Sequence, residues 1–168
     1  MQIRTVQGIS AKNIKDILEW TNSRGEEFLK QWAGKAWRFP LTEQQILAER
    51  DQIYSILDGE SFLGIIQILR REENNFHIGR FLLDPAKTGK GLGTIALKQF
   101  CNFLFRNAQI ESITLNVYAF NQGAQRCYEK CDFKPYKTIA EKGQIVSLKM
   151  KLTNPYLGGM EKSGQPCE

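Results

Sequence analysis

Gly89-Lys90-Gly91-Leu92-Gly93 is the stretch whose residue types and spacing most plainly suit chemistry. Glycines let a backbone approach a ligand closely, and the first N–H groups of a following helix have no partner inside it. With the helix dipole, those groups form a seat for phosphate. The helix is legible in LGTIALKQFCNFLF, where Leu92, Ala96, Phe100 and Leu104 recur at helical spacing. Upstream, the apolar run Phe81-Leu82-Leu83 ends at Asp84-Pro85, and Ala86-Lys87-Thr88 lead into the glycines. A nucleotide-hydrolase loop needs Ser or Thr after its Lys, but Lys90 is followed by Gly91. Gly91, Gly93 and Ala96, with Glu111 downstream, satisfy a dinucleotide fingerprint on paper. Glu111, however, precedes the next strand instead of ending one, and a linker stands where that fold wants a tight turn. A purely structural turn is the remaining alternative.

A second block follows one strand later: Asn121-Gln122-Gly123-Ala124-Gln125-Arg126-Cys127-Tyr128-Glu129-Lys130-Cys131-Asp132-Phe133. Taken with Thr88-Gly89-Lys90-Gly91-Leu92-Gly93, it resembles the GNAT superfamily of N-acetyltransferases. That family carries Gln/Arg-x-x-Gly-x-Gly/Ala at its acyl-coenzyme A loop, and Asn-x-x-Ala-x-x-x-Tyr-x-x-x-Gly-Phe after the next strand. The resemblance spans residues 3–152 in element order, with these two blocks as its specific part. It implies acetyl-coenzyme A as cosubstrate and no metal. It implies that the central strand splays from its neighbour and that the pantetheine arm enters the gap beside Phe81, Leu82 and Leu83. Backbone around Thr88, Gly89, Lys90, Gly91, Leu92, Gly93 and Thr94 would hold the pyrophosphate.

The implied reaction is direct attack of a primary amine on the thioester in a ternary complex, without an acyl-enzyme. Tyr128 would be the general acid to the departing thiolate, because a phenol stays protonated at neutral pH. Ala124 would lie against the cofactor, and Asn121 would either hydrogen-bond its arm or cap its own helix. The proton acceptor stays open among His77, Glu72, Glu73 and Asp84. Cys127 has no His neighbour in sequence, and the family needs no nucleophilic thiol. Two positions depart from the pattern. Thr88 stands where Gln or Arg is usual and loses a charge-assisted contact, for which Lys87 or Lys90 would compensate. Asp132 stands where Gly is usual, at a position expected to need a left-handed backbone. The acceptor is a small-molecule or peptide amine of open identity. The alternative function is a catalytically silent acyl-coenzyme A sensor or interaction module.

The rest of the chain must position these blocks. Its 168 residues, 42% hydrophobic, suit one domain over residues 1–152, with a Gly/Pro-rich tail over 153–168. The net charge of +5 is moderate, and from Arg126 to Lys151 seven basic residues face three acids. A basic flank suits a polyphosphorylated cofactor, and no nucleic-acid motif accompanies it. The longest apolar stretch, Phe62 to Leu69, is too short to span a bilayer. Four cysteines without paired spacing read as free thiols of a cytoplasmic protein, and no metal-ligand set joins them. The family often forms dimers, so the resemblance leaves a homodimer and a monomer both open.

Periodicity predicts a strand at Met1–Val6, a helix after Ser10, and an irregular aromatic-rich stretch from Thr21 to Pro40. The aromatics there either line a substrate pocket or pack on the sheet. Thr42 and Gln45 predict a capping box for a helix reaching Arg50. A hairpin (52–57 with 61–69), the strands 76–83 and 112–118, the helix 121–131 and a closing hairpin (133–139 with 144–150) complete the order. The expected fold is α/β (α+β): a mixed, mostly antiparallel sheet of six to seven strands flanked by about four helices.

Overall fold

The computed structural model describes residues 1–157. Seven strands form one sheet in the order β1-β2-β3-β4-β5-β7-β6. They are β1 (Ile3–Gln7), β2 (Ile53–Asp58), β3 (Ser61–Arg71), β4 (Asn75–Leu83), β5 (Ser112–Tyr118), β6 (Lys134–Glu141) and β7 (Gln144–Thr153). Every pairing is antiparallel except β4 with β5. Among the described residues five α-helices flank it: α1 (Ala11–Asn22), α2 (Glu26–Ala33), α3 (Glu43–Ala48), α4 (Leu92–Asn107) and α5 (Gln122–Lys130).

Because strand side chains alternate between faces, β2, β3 and β4 feed two cores. Tyr54, Ile56, Ile66, Ile68 and Ile78 pack with Ala96, Leu97, Phe100 and Leu104 of α4 on one face. Ile53, Ile65 and Leu82 pack on the other with Ile14 and Ile17 of α1, Leu29 of α2 and Ile46 of α3. The sheet is therefore covered on both sides, and the β4–β5 junction lies between α2 and α5.

Four expectations change. The stretch 21–40 is not wholly irregular, since it contains α2, opened by Gly25 at φ +95 and closed by Gly34 at φ +77. The capping box is half formed. Thr42 Oγ1 accepts from the Gln45 N–H at 3.4 Å and from Gln45 Nε2 at 3.3 Å, but Gln45 Oε1 accepts from the Arg38 N–H at 2.7 Å rather than from the Thr42 N–H, and its Nε2 also donates to the Arg38 carbonyl at 3.0 Å. That helix ends at Ala48, and Arg50–Gln52 form a 3-10 turn. The tail does not begin at 153: β7 runs through Thr153, and buried Asn154 donates its side-chain amide to the Ile110 carbonyl at 2.9 Å. The remainder of the expected tail, with Cys167, lies outside the described residues.

Candidate active site

β4 and β5 pair only from Asn75↔Ser112 to His77↔Thr114, although β4 runs on to Leu83 and β5 to Tyr118. Beyond His77 the two strands diverge, and backbone groups on their facing edges lose their ladder partners. The gap opens into a cavity of about 420 Å³. Phe81 and Leu83 of β4, Thr88 of the loop, Asn121, and Ala124, Cys127 and Tyr128 of α5 line it. Leu82, between two lining residues, turns its side chain into the opposite core, as strand alternation requires. Only its backbone is left for a ligand in the gap.

The glycine loop stands at the end of this gap. Gly89 and Gly91 adopt φ of +80 and +77. Cβ atoms built on them meet nothing within 4 Å, so their outer face is open. Gly91 is the N-cap of α4, with no side chain satisfying the first N–H groups of the helix. Gly93 is placed differently: it lies where α4, α5 and β4 meet, and a Cβ there would make ordinary contacts with Cys127 Sγ at 3.5 Å and Leu83 Cδ1 at 3.6 Å. Lys90 is exposed and Leu92 and Thr94 are half-buried. Gly89, Lys90, Gly91, Leu92, Gly93 and Thr94 therefore border the cavity's outer end rather than its wall.

The two departures resolve in different ways. Asp132 takes φ +68, the left-handed conformation expected there. Thr88 donates its hydroxyl to the Pro85 carbonyl at 3.1 Å, inside its own loop. Lys87 leans towards Asp84 at 3.8 Å and Ser61 at 3.4 Å. Lys90 has no ion pair among the described residues, which leaves it as the loop's available cation.

Asn121 caps α5, accepting the Ala124 N–H at 3.2 Å. Tyr128 packs 6.1 Å from the Phe133 ring, and burial, then the Cys127 and Cys131 thiols, push its hydroxyl pKa above the usual tyrosine value. It stays protonated throughout the neutral range. Cys127 is drawn down to about 7 by a hydrogen bond from Cys131, with Thr94 Oγ1 at 3.7 Å and Lys130 adding to the effect against burial. Cys131 moves upward for the same reason, and burial raises Cys101. Among the described residues no group of His, Cys, Asp and Glu could hold a metal ion.

Of the four candidate bases, only His77 lines the cavity. Glu72 pairs with Arg70 at 3.4 Å on the surface of the β3–β4 turn, beside Glu73, and Asp84 Oδ1 accepts the Ala86 N–H. His77 is buried with Nδ1 2.9 Å from Thr114 Oγ1. Burial foremost, then Arg70 and Lys149, lowers its pKa from 6.5 to about 4. Between those values only the unfolded chain takes up the proton. The stability of neutral His77 is thus complete above pH 6.5 and is lost as pH falls towards 4, by about 3 kcal/mol. Urea unfolding at pH 7 and pH 4.5 should show His77→Asn losing less stability on acidification than the wild type. Equal losses would remove His77 from the acid response.

One part of the site was not singled out from sequence. Arg80 lines the cavity yet is 8% exposed, at φ +47, where the β3–β4 register shifts. Its guanidinium lies 4.1 Å over the Trp37 ring, its Nε donates to the Ala33 carbonyl at 3.3 Å, and its Nη1 binds Gln67 at 3.1 Å and the Glu49 carboxylate. Glu49 also accepts from Trp37 Nε1 at 2.5 Å and Gln67 Nε2 at 3.3 Å. A left-handed arginine is strained and persists when several contacts hold it. The available signal was a charged residue inside the apolar run FHIGRFLL.

Residues 13–133 match the acetyltransferase (GNAT) family. The chain belongs to that family. Solved structures of similar fold include the aminoglycoside acetyltransferase AAC(6')-Ib in complex with paromomycin and acetyl-coenzyme A. It is 18% identical with a TM-score of 0.71, over 98% of this chain and 100% of that one. Spermidine N-acetyltransferase from Vibrio cholerae, in complex with coenzyme A and spermine, is 14% identical with a TM-score of 0.72, over 91% and 96%. RimL, a ribosomal L7/L12 α-N-protein acetyltransferase in complex with coenzyme A, is 14% identical with a TM-score of 0.69, over 91% and 94%. At these identities the likeness is one of fold. No helix among the described residues of this GNAT chain is long and apolar enough to cross a membrane.

Proposed function

We propose that this GNAT protein transfers the acetyl group of acetyl-coenzyme A to an amine in a ternary complex, with Tyr128 as general acid. The observation that carries the reading is the divergence of β4 from β5 after His77, which leaves main-chain edges open beside Phe81 and Leu83. An extended amide-bearing arm fits such an edge as an added strand would. The uncapped start of α4, opened by Gly89 and Gly91 and flanked by Lys90, suits the diphosphate of the same ligand. Bound acetyl-coenzyme A supplies an activated thioester and a thiolate leaving group.

The chain's own residues do the remainder. Tyr128, protonated and half-buried on the cavity wall, holds a proton for the leaving sulfur. Asn121 fixes the start of α5 and so the position of Tyr128, while Ala124 leaves room on the same helix face. Cys127 shares that face, but no step requires it as a nucleophile. The cosubstrate would be acquired without metal, and the acceptor would be a small-molecule or peptide amine.

Two measurements test this. Alkylation at pH 7 should label Cys127 faster than buried Cys101 and Cys131, since among the cysteines of the described residues only it is held near pKa 7 and faces the cavity. Coenzyme A should slow that labelling, and an amine panel should release thiol from acetyl-coenzyme A. Labelling indifferent to coenzyme A would place the cofactor elsewhere. Protection without any thiol release would leave a sensor that binds the cofactor and does not turn it over.

A further inference from the structure

The cavity wall bears on which amine is acetylated, an inference that rests on the transferase reading. Among the described residues no Asp or Glu lines the cavity, and their one fixed charge on its wall is the cationic Arg80, matched from behind by Glu49. The adjoining depression on the α2 lip is no more acidic, since Glu26 and Glu27 there face Lys30, Lys35 and Arg38. Carried by a chain of net charge +5, this site offers a polycation no carboxylate to offset its desolvation or its repulsion.

The wall holds few ionisable groups. From β4 come His77 and the already protonated Arg80, from β5 Tyr118, and from α5 Cys127 and the protonated Tyr128, while Gln31, Trp32 and Ala33 of α2 do not titrate. His77 is buried and its Nδ1 is engaged by Thr114. An alkyl amine of pKa about 10.4 is almost wholly ammonium at pH 7. An α-amine near 7.7–8.0 is roughly one-tenth free base there, an advantage on the order of 10²-fold when the protein does little to deprotonate it. Finally, the Trp32 indole Nε1–H, on a wall residue of α2, has no acceptor among the described residues. A ligand carbonyl that reached this buried donor would satisfy it.

We propose that the acceptor is an α-amine beside a carbonyl, of the kind at a peptide N-terminus, received between α2 and β4 at Trp32 and Arg80. Polyamines, aminoglycosides and lysine side chains are then poor acceptors.

The test uses the full chain with acetyl-coenzyme A and four probes at equal concentration. They are a short neutral peptide with a free N-terminus, an N-terminally blocked peptide containing one lysine, spermidine, and kanamycin. Thiol release is read with mass spectrometry of the products. At pH 7 the free peptide should exceed the others in kcat/KM by on the order of 10²-fold, and the gap should narrow as pH rises and alkyl amines lose their protons. Gln31→Glu, an exposed change on the α2 wall, should raise kcat/KM for spermidine several-fold by supplying the missing carboxylate.

Spermidine, kanamycin or the lysine peptide equalling the free peptide would overturn the inference and keep the transferase. So would a preference unchanged by pH, or spermidine kinetics untouched by Gln31→Glu. No transfer to any probe while coenzyme A still protects Cys127 would overturn the transferase reading and this inference with it.

Discussion

Tyr128→Phe should lower kcat for acetyl transfer by on the order of 10²–10⁴-fold, the usual contribution of a positioned proton donor. The substitution removes one oxygen and keeps the ring, whose contact with Phe133 at 6.1 Å and whose place on the α5 wall are unchanged. Coenzyme A affinity and thermal stability should therefore stay near wild type. The predicted pattern is a fall in kcat with little change in cofactor binding. Burial and the neighbouring thiols keep the phenol protonated through neutral pH, so its titration should not produce the fall of rate on the alkaline side between pH 7 and 9. Steady-state kinetics beside calorimetric titration with coenzyme A would decide the matter. Undiminished turnover would keep the enzyme and leave the thiolate to be protonated by water. A loss of binding equal to the loss of rate would make Tyr128 a packing residue.

The second large effect is on stability. Glu49→Ala should destabilise the fold by about 3 kcal/mol, because it strips the carboxylate from a guanidinium whose side chain is 7% exposed. Gln67 and the Ala33 carbonyl remain as partners, and Glu49 itself is 32% exposed, which places the cost at the low end for a broken buried pair. Arg80→Met paired with Glu49→Gln should recover much of the loss. The buried charge is gone, and the Gln side chain can still accept from Trp37 Nε1. Denaturant unfolding of the two single variants and the double variant closes the cycle. Additive losses would mean that the pair contributes nothing as a pair. The same network holds Arg80 at φ +47 on the cavity wall, so coupled losses would tie the shape of the site to this cluster.

The two chemical blocks were legible in sequence because their logic is local. A glycine-rich turn before an amphipathic helix needs open backbone wherever it occurs, and Gly89 and Gly91 show positive φ with free space around them. Asn121 at the head of α5 and Tyr128 two turns along follow from helical spacing alone. The strands were legible for the same reason, through alternation and turns such as Glu141-Lys142-Gly143, where Lys142 and Gly143 both take positive φ. Local signals were weaker in α2. EEFLKQWA is eight residues long, buries only Leu29 and Ala33, and sits among aromatics that blur its period.

What only the tertiary structure decided concerns partners distant along the chain. That β4 and β5 separate after His77, that Leu82 faces away from the cavity while Phe81 and Leu83 face into it, and that Arg80 meets Glu49, Gln67 and Trp37 are products of strand order and register. So is the anchoring of Asn154, whose side-chain amide is held by the carbonyl of Ile110. The sequence by itself determined which segments become loop, helix and strand, and that one loop opens a helix with glycines whose outer face is free. Register decided which side chains share the cavity, because a shift of one residue turns a strand's side chains to the other face, and nothing local to FHIGRFLL states where its pairing stops.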